Sequence, residues 1–499
     1  MKNLTIILLW IFSFILAQVG PAKELHRNPP RAWALTNATI HASPGKTIAN
    51  GTVVMRDGMI TSVGSDVKIP KQATIRDMEG KHIYAGFIES WLDVKTIKKD
   101  TSLQAHWNSN MRAYLKAADL FHPKDKELKD LRALGFTTAH ITPKGGIFQG
   151  QSALVQLGET PKVLSENIAQ VIEFASSGWG SWEYPTSLLG VIAFIRQGFY
   201  DASWYDKTGD ILAKYPDGNE PIQKDRSLES LSSGIGNKQP FVFRTNNELY
   251  IDRSENIADE FELNFWIRGN GYEYRRIDQM PASFMIVPLN FPGKPEVVDP
   301  YQALQYTTEQ LKHWDMAPDN VAKLVAAGFQ VALTGSDLKN KKDFQKNLSR
   351  SISRGLNESD ALAALTTNPA QEFGQSKRLG KVAPGYIANL VITDDNYFSG
   401  ESTVNAVWID GNEYEITPDP FVSIAGTWSL KERNNVWSLV LNKSAKGFSG
   451  EITTENKSLK LNNVKVEQDR IGFSVKTDTL LQKGVTRFQG TFTDKKAMG

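Results

Sequence analysis

The chain has no cysteine among its 499 residues. That absence excludes disulfides, thiolate catalysis, cysteine-bound zinc and a lipidated N-terminal cysteine, so any tightly held metal needs histidine and carboxylate ligands. Histidine is itself scarce, at seven residues. An excess of one charge is lacking too: 57 Lys and Arg stand against 55 Asp and Glu, a formal charge of +2, which gives no electrostatic case for nucleic acid. The apolar run from Leu4 to Ala17 is shorter than the roughly 20 residues a membrane-spanning helix needs. With Lys2 before it and small residues after it, the run reads as a signal peptide over residues 1–22, cleaved after Ala17 or Ala22. The expectation is a secreted, periplasmic protein with no stable membrane span after processing, a compartment that a cysteine-free chain tolerates.

What is present is ordinary globular composition, 40% apolar and 22% charged, in a length that suggests two to four units at roughly 150 residues each. There is no short-period repeat and no low-complexity tract. From Trp33 to Ile83 short apolar runs alternate with turn residues, and Asp57-Gly58 and Glu79-Gly80 carry hairpin chemistry. After Ile88 helical stretches such as "NMRAYLKAADLF" and "DKELKDLRALG" alternate with strand-like runs such as "FTTAHIT", "FVFRT", "LNFWIRG", "SFMIVPLN" and "FQVALTG". Alternation over roughly 290 residues predicts parallel βα units, and one (β/α)8 barrel of about 250 residues fits the span. In "NVAKLVAAGFQVALTGSD", Val321, Leu324 and Val325 share one helix face, Gly328 ends the helix, and a strand follows. From Leu379 the chain returns to β character, with Asp410-Gly411 as a further hairpin turn. Beyond the proline-marked "TPDP" comes alternating strand sequence with Asn, Gly and Lys turns, the mark of an antiparallel sheet.

Three pieces carry a family resemblance: "IYAGFIES" from Ile83, "LRALGFTTAHITPKGG" from Leu131, and "SRGLNESDALAALTTNPAQEFGQSKRLGKVAPGYIANLVIT" from Ser353. In the last, Leu365, Thr366, Asn368, Pro369, Ala370, Gly374, Gly380, Gly385 and Ala388 match a pattern in which a final barrel helix leads back into a β unit. In this order and spacing the chain resembles the amidohydrolase superfamily, imidazolonepropionase-like branch. The resemblance implies a TIM barrel over residues 85–378 and a composite β-sandwich domain made from residues 31–84 and 379–416. An antiparallel β module over residues 420–499, incomplete at its end, follows.

The resemblance also implies a metal site at the C-terminal ends of the barrel strands: two histidines from the first strand, one each from the fifth and sixth, and an aspartate from the eighth. Neutral imidazoles hold the ion and lower the pKa of its bound water, and the aspartate takes the proton. Here the first-strand positions hold Trp91 and Asp93. "PFVFRT" ends in Arg244 and Thr245, and "LNFWIRGNGYEY" offers Arg268, Asn270 and Tyr272. Only Asp337, in "VALTGSD", keeps its residue type, either as a base or as a cap for the following turn. His26, His41 and His82 precede the barrel, and of His106, His122, His140 and His313 only His140 falls on a barrel strand, where it reads as a core or rim histidine. No cofactor is expected.

Three readings follow. The first is a barrel that has lost its metal-binding histidines and serves as a structural or binding half of a larger secreted hydrolase, with an active amidohydrolase domain downstream or in trans. The second is an active metal-dependent hydrolase of C–N bonds in cyclic amides or dipeptides, holding zinc through Asp93, Asp337 and His140. The third is a binder of small molecules or glycans with an aromatic rim drawn from "SSGWGSWEYP" and "YDASWYDK". Arg244 and Arg268 suit either an anionic ligand or a salt bridge that fills the vacated site. Burial of Asp337 without its metal predicts an internal ion pair with an arginine, Arg268 first and Arg244 second. Gly145-Gly146 and "RGNG" are loops rather than phosphate-binding fingerprints.

Overall fold

The computed structural model describes residues 32–95, 105–176, 183–280, 283–418 and, with short gaps, 425–498. The signal-peptide segment and most of "SSGWGSWEYP" lie outside the described residues.

Short alternating strands from both ends of the first 416 residues build one eight-stranded sheet. Its order runs Asn412–Glu415, Val404–Ile409, Leu390–Thr393, His82–Ala85, Ala32–Ser43, Lys46–Arg56 and Met59–Gly64, with Thr74–Asp77 also paired to Ala32–Ser43. Asp57-Gly58 and Asp410-Gly411 have positive φ at both positions, as two-residue hairpins of the type I′ class require. Glu79-Gly80 also has positive φ at both positions but joins no hairpin. The strands on either side of it both run parallel to Ala32–Ser43, because that strand bulges between Leu35 and Ala38, where Asn37 sits at φ 54°. Leu35, Ile40, Met55, Ile83, Leu390 and Trp408 meet in one core. The expected sandwich is thus a single continuous sheet around that core.

The middle of the chain is mixed α/β. Strands Phe87–Lys95 and Phe136–Lys144 pair in parallel, and so do Gln170–Glu173, Phe241–Arg244, Phe265–Arg268, Phe284–Pro288 and Val331–Thr334 in turn. Phe284–Pro288 and Val331–Thr334 are buried along their whole length, as parallel strands covered on both faces must be. Helices including Leu188–Lys214, Arg226–Gly236, Leu249–Glu260 and Asp343–Ser353 intervene. The two parallel ladders do not close into a hydrogen-bonded ring among the described residues.

Two expectations for this region fail. Between Lys144 and Gln170 there is no βα unit but three short strands, Phe148–Gln151, Ala153–Gln156 and Lys162–Ser165, paired antiparallel to their neighbours. The segment turns at Gly145 and Gly146, both at positive φ, and folds back on its neighbours. Gly150, at φ 120°, packs so close that a Cβ there would meet the Leu115 carbonyl at 2.4 Å. "NMRAYLKAADLF" is helical only over Ala117–Leu120; Met111 and Lys116 instead bridge to Phe148 and Gln151. The clearest sequence unit holds: helix Asn320–Ala326 buries Val321 and Leu324, Gly328 turns at φ 89°, and strand Val331–Thr334 follows.

The C-terminal region is antiparallel throughout. Two four-stranded sheets, Gly426 to Lys460 and Asn462 to Met498, share a core of Trp437, Leu439, Leu441, Ile452, Ile471, Phe473 and Val475.

Candidate functional site

Strand register decides which side chains meet. Glu173 pairs with Arg244 and Arg244 with Arg268, so three neighbouring parallel strands each end in a charged residue at the same level. On the other parallel ladder, Asp93 and Lys144 lie close to the ends of Phe87–Lys95 and Phe136–Lys144. Trp91, fully buried, stands among them. Its indole Nε1 donates to Asp93 Oδ1 at 2.8 Å, and the guanidinium carbons of Arg244 and Arg268 lie 5.8 and 5.7 Å from its ring centre. An aromatic ring attracts both cations there, and the indole fills volume beside them.

The charges are arranged in two groups. Asp93 accepts from Arg244 NH1 at 3.1 and 3.2 Å and from Lys144 Nζ at 2.8 Å. Burial pushes its pKa up, but the Arg244 and Lys144 charges and the Trp91 hydrogen bond outweigh that, and the net shift is downward. Arg244 also lies 3.9 Å from Glu173, which takes a hydrogen bond from Gln149 Nε2 at 2.6 Å. In the second group Arg268, 2% exposed, donates to Asp337 Oδ2 at 2.6 Å, to Ser336 Oγ at 2.7 Å and to its neighbour's carbonyl at Gly269. The Arg268–Asp337 pair is therefore present, although the Asp337 side chain is 36% exposed at the strand end, so only half of the pair is buried. Arg244 is not its alternative partner; it belongs to Asp93 and Glu173.

Sequence reasoning missed Glu89, which is 1% exposed and closes the seam between the first and last parallel strands. Its carboxyl accepts from the Thr334 hydroxyl, from Gly335 N at 3.1 Å and from Trp91 N at 3.2 Å. Burial pushes its pKa up against those hydrogen bonds and the nearby Lys341. The available signal was an acid inside the apolar run "AGFIES". Glu273 was also missed: fully buried, it accepts from Asn270 N at 2.6 Å, Gly271 N at 3.0 Å and Asn320 Nδ2 at 2.6 Å, which pins the loop after Phe265–Arg268. Thr245 donates to the Arg268 carbonyl at 3.1 Å, and Tyr272 stacks on His313 with ring centres 3.7 Å apart.

His140 is a core residue. Its Nδ1 donates to the Ser90 carbonyl at 2.9 Å, Nε2 lies 2.7 Å from the Ser152 hydroxyl, and the ring stacks on Phe373 at 4.3 Å. Burial pushes its pKa down to about 4, so the ring is neutral. With both nitrogens engaged it cannot join Asp93 and Asp337, and the three-ligand zinc set is not assembled. The residues present do not fit a divalent ion: one carboxylate is held by two cations and by the Trp91 indole, the other by a buried guanidinium. Among the described residues no group of three or more His, Asp or Glu side chains could hold a metal. Of the aromatic rim, Trp204 stands exposed on the outside of helix Leu188–Lys214.

Comparison with known proteins gives a consistent picture. The model described as "Amidohydrolase family" matches residues 319–414. The protein named amidohydrolase tasK, from Hapsidospora irregularis, is 21% identical over 402 residues, covering 72% of this chain and 39% of that protein. The chain thus spans well under half the length of the curated relative it matches. A solved amidohydrolase from Thermotoga maritima MSB8 superimposes with a TM-score of 0.61 at 21% identity, covering 77% of this chain and 99% of that one. A putative prolidase from Bifidobacterium longum gives 0.46 at 15% identity, covering 79% and 97%.

Proposed function

We infer that this chain is a member of the amidohydrolase superfamily, as the match over residues 319–414 and the likeness to solved amidohydrolases support, and that it is a non-catalytic structural or binding half of a larger secreted hydrolase. The observation that carries this reading is the buried Trp91 ring packed within 5.8 Å of both the Arg244 and Arg268 guanidinium carbons, with Asp93 and Asp337 paired to those cations. A metal-dependent site of this family's kind activates water through an ion with an open coordination position. Here the positive charge is covalently attached, already paired, and offers nothing that can lower the pKa of water. In this reading the two parallel ladders are arcs of one (β/α)8 barrel, and Glu89 with Thr334 bridges the gap between its first and last strands. The greater length of the curated relative supports an active amidohydrolase domain downstream or in trans as the partner. The N-terminal apolar run supports a secreted, periplasmic location; no described helix is long and apolar enough to cross a membrane.

Elemental analysis of the purified chain, with zinc titration by calorimetry, tests the reading. The expected result is no stoichiometric zinc and no heat of binding that depends on Asp93 or Asp337. About one zinc per chain, lost in Asp93→Ala or Asp337→Asn, would overturn it and restore a metal-dependent hydrolase of C–N bonds.

A further inference from the structure

A cavity of about 520 Å3 lies beside the loop that follows Asp337, between helix Asp125–Arg132, the start of helix Asp343–Ser353, and the segments around Tyr397–Val404 and Ile416–Thr417. Its charge is one-sided. Lys126, Lys339, Lys341 and Lys342 line it, and Asp130 is the one acidic side chain among the lining residues. Asp130 is matched already, by Lys126 at 2.6 Å. Lys341 is anchored on the Gly335 carbonyl and on the Ser336 carbonyl at 3.1 Å, which fixes one ammonium at the wall. Lys339 and Lys342 complete the cationic rim, at the start of an 11-residue helix whose first turn also carries Asp343.

The walls are tied to one another. Gln345 Nε2 donates to the Tyr397 carbonyl at 3.0 Å and to Ser402 Oγ at 2.9 Å, while the Tyr397 hydroxyl donates to the Leu134 carbonyl at 2.9 Å. Those bonds join all three main walls, so the concavity is preformed and within the usual size range for small-molecule sites. A preformed, one-signed concavity concentrates counter-charge, because low-dielectric walls focus the field of its lysines.

We propose that this cavity binds a small, multiply charged oxyanion, a phosphate- or carboxylate-bearing molecule held by Lys339, Lys341 and Lys342. Oxygen anions match ammonium donors, and a molecule with two or more charged groups can reach several lysines together. Lys339 and Lys342 take no part in the strand-end ion pairs, whereas Lys341 is bonded to the Gly335 and Ser336 carbonyls beside them, so the test varies Lys339 and Lys342 alone.

Calorimetric titration of the full chain with pyrophosphate and, separately, citrate, at constant ionic strength set with sodium chloride, is the test. Saturable binding in the millimolar range or tighter is expected for at least one probe, weakened about tenfold or more in Lys339→Gln/Lys342→Gln. A control pair on another helix, Lys207→Gln/Lys214→Gln, should leave the affinity unchanged. Binding of pyrophosphate alone identifies a phosphate ligand, and of citrate alone a carboxylate ligand. No saturable binding of either probe, or equal affinity in the Lys339/Lys342 variant, overturns the proposal.

Discussion

Replacing Arg268 with Ala separates what the guanidinium does by charge from what it does by volume. The side chain is 2% exposed and makes three hydrogen bonds, to Asp337, Ser336 and Gly269. Hydrogen bonds to a charged group contribute about 1.5–3 kcal/mol each, but Ser336 and Asp337 lie at the strand end and can recover water, so the bonds are not lost in full. Truncating the buried stem also leaves a void beside Trp91. Together these give a loss of roughly 2–4 kcal/mol. The part that belongs to the Asp337 charge is small, because a carboxylate 36% exposed is screened by solvent; about 1 kcal/mol of coupling is expected. Urea unfolding of Arg268→Ala, Asp337→Asn and the double variant closes the cycle. Asp337→Asn alone should lose about 1 kcal/mol, and the double variant should be within about 0.5 kcal/mol of Arg268→Ala. If Arg268→Ala is as stable as the wild type, or if the two single losses simply add, the idea that the arginine and the aspartate compensate each other at the vacated site is wrong.

Glu89→Ala should be more damaging than any change at Asp337, by about 2 kcal/mol or more, because it leaves the Gly335 and Trp91 amides buried without an acceptor and the Thr334 hydroxyl with only the Trp91 carbonyl at 3.2 Å; a melting temperature equal to wild type would refute this. Acid should destabilise the fold as pH falls from about 6.5 towards 4. His140, lowered by burial to about 4, and His41, lowered to about 4 by burial and by His82, are neutral when folded and bind protons more readily when unfolded. His140 sets an upper limit of ~3 kcal/mol, and half-buried His41 adds less; a urea midpoint unchanged between pH 7 and pH 4.5 counts against it. Limited proteolysis should cut just beyond Thr417 and release the two regions, each with its own core; first cuts within helix Asp343–Ser353 would speak against an independent C-terminal module.

Much of the site was legible because strand ends can be counted. Once "FVFR" and "FWIR" are read as neighbouring parallel strands, Arg244 and Arg268 fall at the same level, and Trp91 and Asp93 follow from the first strand. The pairing of Arg268 with Asp337 follows from charge alone. What could not be read was which of several cations Asp93 would meet, since Lys144 and Arg244 reach it from strands about 100 residues apart in sequence. Glu89 was hidden by its surroundings: two residues before Trp91, it looks like one more polar position in an alternating strand, and only the approach of Val331–Thr334 buries it. The fold was misread where glycine changed the local rule. Gly145, Gly146 and Gly150 convert what spacing assigns to a βα unit into antiparallel strands, and a helical reading of "NMRAYLKAADLF" ignored the chance that its backbone would bridge to those strands.

The sheet assembled from both ends of the chain has a kinetic consequence. Ile83 pairs with Ile392, some three hundred residues later, so the strand His82–Ala85 has one edge without its neighbour until nearly the whole parallel unit has been synthesised. At roughly 5–20 residues per second, that interval is about 15–60 seconds. During it the early hairpins present an open, apolar edge of the kind that pairs with other chains. Completion of the sheet therefore waits on a pairing across some three hundred residues, and shielding of that early edge until Leu390–Thr393 arrives favours productive folding.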